Sequence, residues 1–169
     1  MEGTYPLPEA QRDRFMARLT VGYPSPVDEL EMLERQEVSD PLVQLSAVTD
    51  AARIERMIAV VRRLYASPAI KRYVIDLVGA TREDPGLRLG ASPRAAIQLL
   101  RAAKALAAVN GREYVLPDDV QALAGPVLAH RVLLSTESRL TGRTAEDIVE
   151  GIVQRTVVDS PAGHSRAVG

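Results

Sequence analysis

The chain has 169 residues and 18.3 kDa, 46% of them hydrophobic and 25% charged. That fits one ordinary globular domain with at most an appendage, and excludes disorder, collagen-like repeats and coiled coil as descriptions of the whole chain. Twenty-one basic against 22 acidic residues leave a net charge of −1, without the basic footprint that nonspecific duplex binding needs. The lack of cysteine rules out disulfides and thiolate metal sites. The two histidines, His130 and His164, lie too far apart in sequence to suggest a His-based zinc site or a triad, whereas carboxylate metal sites stay open.

Taken in chain order, the N-terminal run MEGTYPLPEAQRDRF has no basic stretch followed by an apolar one, so it does not read as a secretory signal. Residues 7–14 are expected to form a short helix, with Pro8 in the first turn and Glu9 complementing the dipole. From Phe15 to Val21 apolar residues alternate with Met16, Arg18 and Thr20, the two-residue period of a strand. The break Gly22–Pro26 follows, and Ser25 with Asp28 resembles a capping box ahead of a helix to about Gln36. Residues 37–48 contain Pro41 and read as a loop. Ile54, Met57, Ile58, Val61 and Leu64 then follow helical spacing, and Ser67-Pro68 starts a helix with Ile70, Val74, Leu77 and Val78 on one face.

Residues 81–91 read as a loop. Ser92-Pro93 opens the longest helix, which Asn110-Gly111 ends, and Glu113–Leu116 are a short extended piece. Pro117-Asp118-Asp119 opens a helix to about Ala129. Its residues 117–129 contain no Lys or Arg, so it is not a major-groove recognition helix. A polar, loop-like stretch precedes a last helix near 145–155 capped by Thr144. The tail from 156 is expected to be disordered. No segment approaches the roughly 18 apolar residues of a membrane span, and the expected location is the cytoplasm.

Three stretches carry a resemblance. They are EGTYPLPEAQRDRF at 2–15 with GYP at 22–24, LRLGASPRA at 87–95, and NGREYVLPDDVQ at 110–121 followed by AHRV at 129–132. In this order and spacing they resemble the C-terminal part of a MoxR-type AAA+ ATPase, from residue 2 to about 155. The resemblance implies a mainly α fold. Residues 1–24 would be the terminal helix and strand of the αβα ATPase core, residues 25–155 a helical-bundle lid domain, and 156–169 a disordered tail. A lone strand cannot satisfy its own backbone, so residues 1–24 are expected to fold back on the lid or pair with another copy.

No Gly-Lys dipeptide occurs, so there is no GxxxxGK[ST] phosphate-binding loop, and no apolar strand ends in Asp-Glu. The chain alone is therefore expected neither to hydrolyse ATP nor to hold a cofactor. ATP and Mg2+ would belong to a complete parent.

Two arginines stand out. Arg94 falls in the first turn after Ser92-Pro93, where a cation opposes the helix dipole at a cost of about 0.3–1 kcal/mol. Nearby free N–H groups attract anions. The resemblance makes Arg94 sensor 2, touching the γ-phosphate held by its own subunit. The plain alternative is a solvated arginine paired with Glu83 or Asp84. Arg14 ends the first helix, where a cation needs no function to be stable. The resemblance makes Arg14 the arginine finger that enters a neighbouring subunit's site. Arg12, where the family usually has an apolar residue, could take that role. Arg14 is preferred because it matches the motif and adjoins Phe15, which is expected to bury and fix the helix end.

His130 reads as a packed or capping histidine, Asp118-Asp119 as a dipole-matched helix start, and Arg53, Arg56, Arg62 and Arg63 as a solvated face. The implied partners are the rest of the AAA+ core, neighbouring subunits of a hexamer, and a protein with a von Willebrand A-type domain. No nucleic acid and no membrane are expected. The competing function is a stand-alone helical protein-interaction module. An independent enzyme is disfavoured because no nucleophile–base pair is in evidence.

Overall fold

The computed structural model describes residues 7–38 and 40–158. The first six residues of the expected core remnant and residues 159–169 of the expected tail lie outside that range. In chain order the helices are α1 (Glu9–Arg12), α2 (Pro26–Val38), α3 (Ala51–Arg63), α4 (Pro68–Glu83), α5 (Pro93–Val109), α6 (Pro117–Leu128), α7 (Thr136–Leu140) and α8 (Ala145–Arg155). Two short strands, β1 (Leu87–Leu89) and β2 (Leu133–Leu134), pair antiparallel with Leu87 opposite Leu134. The fold is mainly α, as expected. No helix among the described residues is long and apolar enough to cross a membrane.

The chain divides into two compact units, one of residues 19–60 and one of the remainder. The larger unit is built on local start signals. Ser67 Oγ accepts the Ile70 N–H at 3.2 Å, with Pro68 at the first position of α4. Thr144 and Asp147 cap α8 reciprocally, at 3.1 and 2.8 Å. Asp119 accepts the Leu116 N–H at 2.8 Å and a hydrogen bond from Arg112 Nη1 at 2.7 Å, closing the start of α6. The bond from Arg112 is the main cause that holds this carboxylate's pKa below the usual range. The reading of Asp119 as a helix-start residue is thus met.

The core lies between α4, α5, α6 and α8. On α5 the residues Ala95, Leu99, Ala103 and Ala107 recur every four positions and are fully buried. Three of them are alanines, so the backbone of α6 can approach closely along that ridge. α6 meets it with Val120, Ala124, Val127 and Leu128, all fully buried. α4 adds Tyr73, Leu77 and Val78, and α8 adds Ile148, Val149 and Ile152.

The junction that aims α5 is held by α4. Thr81 Oγ1 donates to Val78 O at 2.7 Å and accepts the Ala91 N–H at 2.9 Å, while Arg82 Nε donates to Ala91 O at 2.9 Å. Gly90 lies so close to α4 that an added Cβ would sit 2.6 Å from Arg82 backbone atoms, and no side chain fits there. Residues 89–92 are thereby fixed immediately before α5.

Three differences from the sequence reading have physical reasons. Among residues 15–21 no strand forms; the alternation is a local signal, and a ladder needs a second strand to bond with. The segment 81–91 is not wholly loop, because α4 runs to Glu83 and Leu87–Leu89 pair with β2. The stretch after Leu134 is not loop either. Ser135 Oγ accepts the Ser138 N–H at 3.2 Å and starts α7.

The smaller unit contains α2, a 3₁₀ turn at Pro41–Gln44 within the expected loop, and all but the last three residues of α3. Ser25 and Asp28 cap α2 as the sequence implied, with Ser25 Oγ donating to Asp28 at 2.7 Å. Asp50 accepts the Arg53 N–H at 2.7 Å and starts α3. None of the side chains described in residues 19–60 is buried.

Candidate functional site

Of the two predicted arginines, Arg94 faces the carboxylate of Asp13 and Arg14 follows Asp13 in the chain. α1 ends at Arg12, so Asp13 is its C-cap and Arg14 lies one residue beyond the cap, in a turn closed by Arg14 N–H to Gln11 O at 3.1 Å. Arg14 is exposed, and its guanidinium makes no hydrogen bond or ion pair among the described residues. Arg12 is half-buried, with its Nε buried and unbonded. Phe15 corrects one expectation: the residue is 57% exposed and so is not the buried anchor of the helix end. The turn is held through its backbone instead. Phe15 O accepts a hydrogen bond from Arg131 Nη2 and lies 3.1 Å from His130 Nε2, and the Arg18 N–H donates to Pro126 O at 2.9 Å. Arg18 also pairs with Glu146 of α8. Residues 7–18 are therefore folded back onto the helical bundle by side-chain and end-of-helix contacts, without a sheet.

Arg94 occupies the second position of α5 and is half exposed. Neither Glu83 nor Asp84 is its partner: Asp84 pairs with Arg155. Arg94 Nη1 lies 3.9 Å from Asp13 Oδ2. The other carboxylate oxygen accepts a 2.9 Å hydrogen bond from Ser92 Oγ and lies 3.7 Å from Arg131 Nη1. Ser92 is the N-cap of α5, but its hydroxyl makes no bond to the helix N–H groups. It points to Asp13, so the first turn of α5 keeps the electrostatic pull on anions that a helix start provides.

Beside this cluster is a cleft of about 590 Å³ lined by Glu9, Asp13, Arg82, Arg88, Ser92 and Arg131, among others. Its arginines are engaged: Arg82 with Ala91 O, and Arg88 with Glu9 at 3.7 Å. The Arg131 side chain is fully buried, which pushes its pKa down, against the pull of Asp13; a guanidinium keeps its charge there nonetheless. His130 is buried between Pro126 O and Phe15 O, each 3.1 Å from a ring nitrogen. Burial, and after it the Arg131 charge, lowers its pKa, so the ring is neutral near pH 7. The reading of His130 as a packed histidine stands. Arg131 was missed as a site residue. Its only sequence signal is membership of the AHRV string, because the contact with Phe15 spans 116 positions.

A half-exposed guanidinium at a helix start whose cap hydroxyl is turned away can attract an anion. Among the described residues no group of three or more His, Asp or Glu could hold a metal ion.

Comparison with known proteins bears on the fold and the family. The AAA lid domain family matches residues 79–152. The chain is 43% identical over 157 residues to the uncharacterized protein YeaC of Bacillus subtilis, covering 93% of this chain and 49% of that protein. It is 37% identical over 163 residues to the chaperone MoxR1 of Mycobacterium tuberculosis, covering 90% of this chain and 42% of that one. The chain thus spans about half the length of the curated relatives it matches. A solved structure of a presumptive ATPase from Cytophaga hutchinsonii superposes with a TM-score of 0.87 at 34% identity, over 94% of this chain and 51% of that one. The chain therefore carries an AAA lid domain and corresponds to the C-terminal part of a MoxR-type AAA+ protein.

Proposed function

We propose that this chain is the lid and finger portion of an ATP-hydrolysing, hexameric AAA+ machine that remodels other proteins. Arg94 acts as sensor 2 on the nucleotide of its own subunit, and Arg14 as the arginine finger on that of the next. The observation that carries the reading is the contrast among the candidate cations. Arg14 is exposed and, among the described residues, unpaired beside a turn held by buried residues, whereas Arg12 is half-buried. A finger needs a free guanidinium on a fixed support. Bound ATP with Mg2+ would bring the triphosphate to be cleaved, and this chain's residues would orient its outer phosphate and offset the charge that develops there. Swinging of the lid with Arg94 would link nucleotide state to movement of a client.

The relatives' names support the remodelling role, one being called a chaperone. The remaining partners on this reading are the nucleotide-binding core, neighbouring subunits and a von Willebrand A-type protein, and the compartment is the cytoplasm.

The 169-residue chain alone should bind Mg-ATP weakly or not at all by calorimetry; a tight magnesium-dependent complex would contradict the division of labour. Joined to its nucleotide-binding core, Arg14→Ala should lower hydrolysis about 10³-fold or more. Arg94→Ala should lower it about 10²-fold and weaken nucleotide binding.

A further inference from the structure

Asp13 adjoins Arg14 in sequence and Arg94 in space, and this carries an inference beyond either arginine alone. Its backbone ends α1, with its N–H donating to Glu9 O at 3.0 Å, so the position of Asp13 sets where Arg14 begins. Its carboxylate, one quarter exposed, is shared by the hydroxyl that begins α5, by Arg94 and by the buried Arg131. Arg131 also holds the Phe15 carbonyl. The residue after Arg14 and the residue before it are thus gripped by one buried guanidinium. Arg131 Nη1 is buried without a hydrogen bond and faces Asp13 Oδ1 at 3.7 Å, beyond hydrogen-bond range but within the reach of an ion pair.

We propose that Asp13 is a positioning residue that ties the turn presenting Arg14 to the helix start presenting Arg94, so that the two arginines are set by one carboxylate. The proposal rests on the roles given to Arg14 and Arg94 above. While Arg94 faces Asp13, part of its charge is neutralised. A phosphate that takes Arg94 leaves the carboxylate to Ser92 and Arg131, which shifts the pull on the turn bearing Arg14. Nucleotide in one subunit thereby adjusts the finger offered to the next, through contacts in this chain alone.

The test uses the chain joined to its nucleotide-binding core and measures nucleotide Kd and kcat for Asp13→Asn, alone and with Arg94→Ala. Asparagine keeps an acceptor for Ser92 and removes the charge. The expected result is a split. Kd falls about two- to fivefold because Arg94 loses its competing carboxylate, while kcat drops about tenfold or more because the finger turn is misplaced. The gain in affinity should vanish in the Arg94→Ala background. A merely structural role would weaken binding and turnover together. Ser92→Ala, which removes the 2.9 Å hydrogen bond without changing any charge, should lower kcat and leave Kd near the parent value; thermal melts of both variants check folding. Unchanged Kd and kcat in Asp13→Asn, or a tightening that survives Arg94→Ala, would overturn the proposal while leaving the sensor and finger roles intact. If Arg94→Ala alone leaves Kd unchanged, the sensor reading itself fails, and the proposal with it.

Discussion

Helices α3 and α5 both present an apolar face at helical spacing, but they meet different fates. On α5 the residues Ala95, Leu99, Ala103 and Ala107 are all inaccessible to solvent. On α3 the residues Ile54, Met57 and Ile58 remain 42–57% exposed, and the helix has no buried residue. Capping is not the difference. Asp50 starts α3 with a 2.7 Å bond, whereas the N-cap hydroxyl of α5 turns away to Asp13. A local pattern makes a helix, and only contact with distant segments buries it. The arginines follow the same rule: Arg131 is fixed by packing, while Arg14 lies exposed on a held turn with no side-chain partner among the described residues.

The comparison breaks first at the core. Leu99→Ala on α5 should destabilise the larger unit by about 2–5 kcal/mol, through lost transfer energy and a residual cavity. Leu33→Ala on α2, where the side chain is 60% exposed, should change stability by no more than about 0.5 kcal/mol. Denaturant melts of the two variants would check this, and similar losses would show that residues 19–60 are packed in solution.

A smaller effect should appear with pH. The folded pKa of His130 lies below the ordinary value of 6.5 because the ring is buried, with the Arg131 charge adding to the effect. Between the two values the unfolded chain binds the extra proton, so the stability contributed by the neutral ring is complete above about pH 6.5 and declines as pH falls through the folded pKa. Thermal melts at pH 7.5 and pH 5 should show the parent losing more stability than His130→Gln. Equal losses would mean that the ring is solvated.

What was legible in the sequence follows the same division. The starts at Ser67-Pro68, Ser92-Pro93, Pro117 and Thr144 are written within four residues, and all four helices begin there. The pairing of β1 with β2 joins Leu87 to Leu134, and strands of three and two residues carry no period of their own. α7 has the polar sequence TESRL, which hides it from any hydrophobic pattern. The alternation at 15–21 misled because it names a strand without naming a neighbour. For the site, Arg94 and Arg14 could be singled out from helix position and motif. The carboxylate that Arg94 meets, that of Asp13, could not, since Asp13 and Ser92 are 79 positions apart, and the carboxylates that looked available to Arg94 from the sequence, Glu83 and Asp84, are not the ones it meets.

On the proposed division of labour one chain serves two nucleotide pockets, Arg94 its own and Arg14 its neighbour's. Subunit mixing tests it most directly. Each arginine variant, joined to its core, is mixed with subunits whose phosphate-binding loop is disabled, and hydrolysis is followed across the mixing ratio. Arg14→Ala subunits should regain activity, because their intact pockets receive a finger from the loop-disabled neighbour. Arg94→Ala subunits should not, because the defect lies in the pocket that must turn over. Identical behaviour of the two variants would contradict the account.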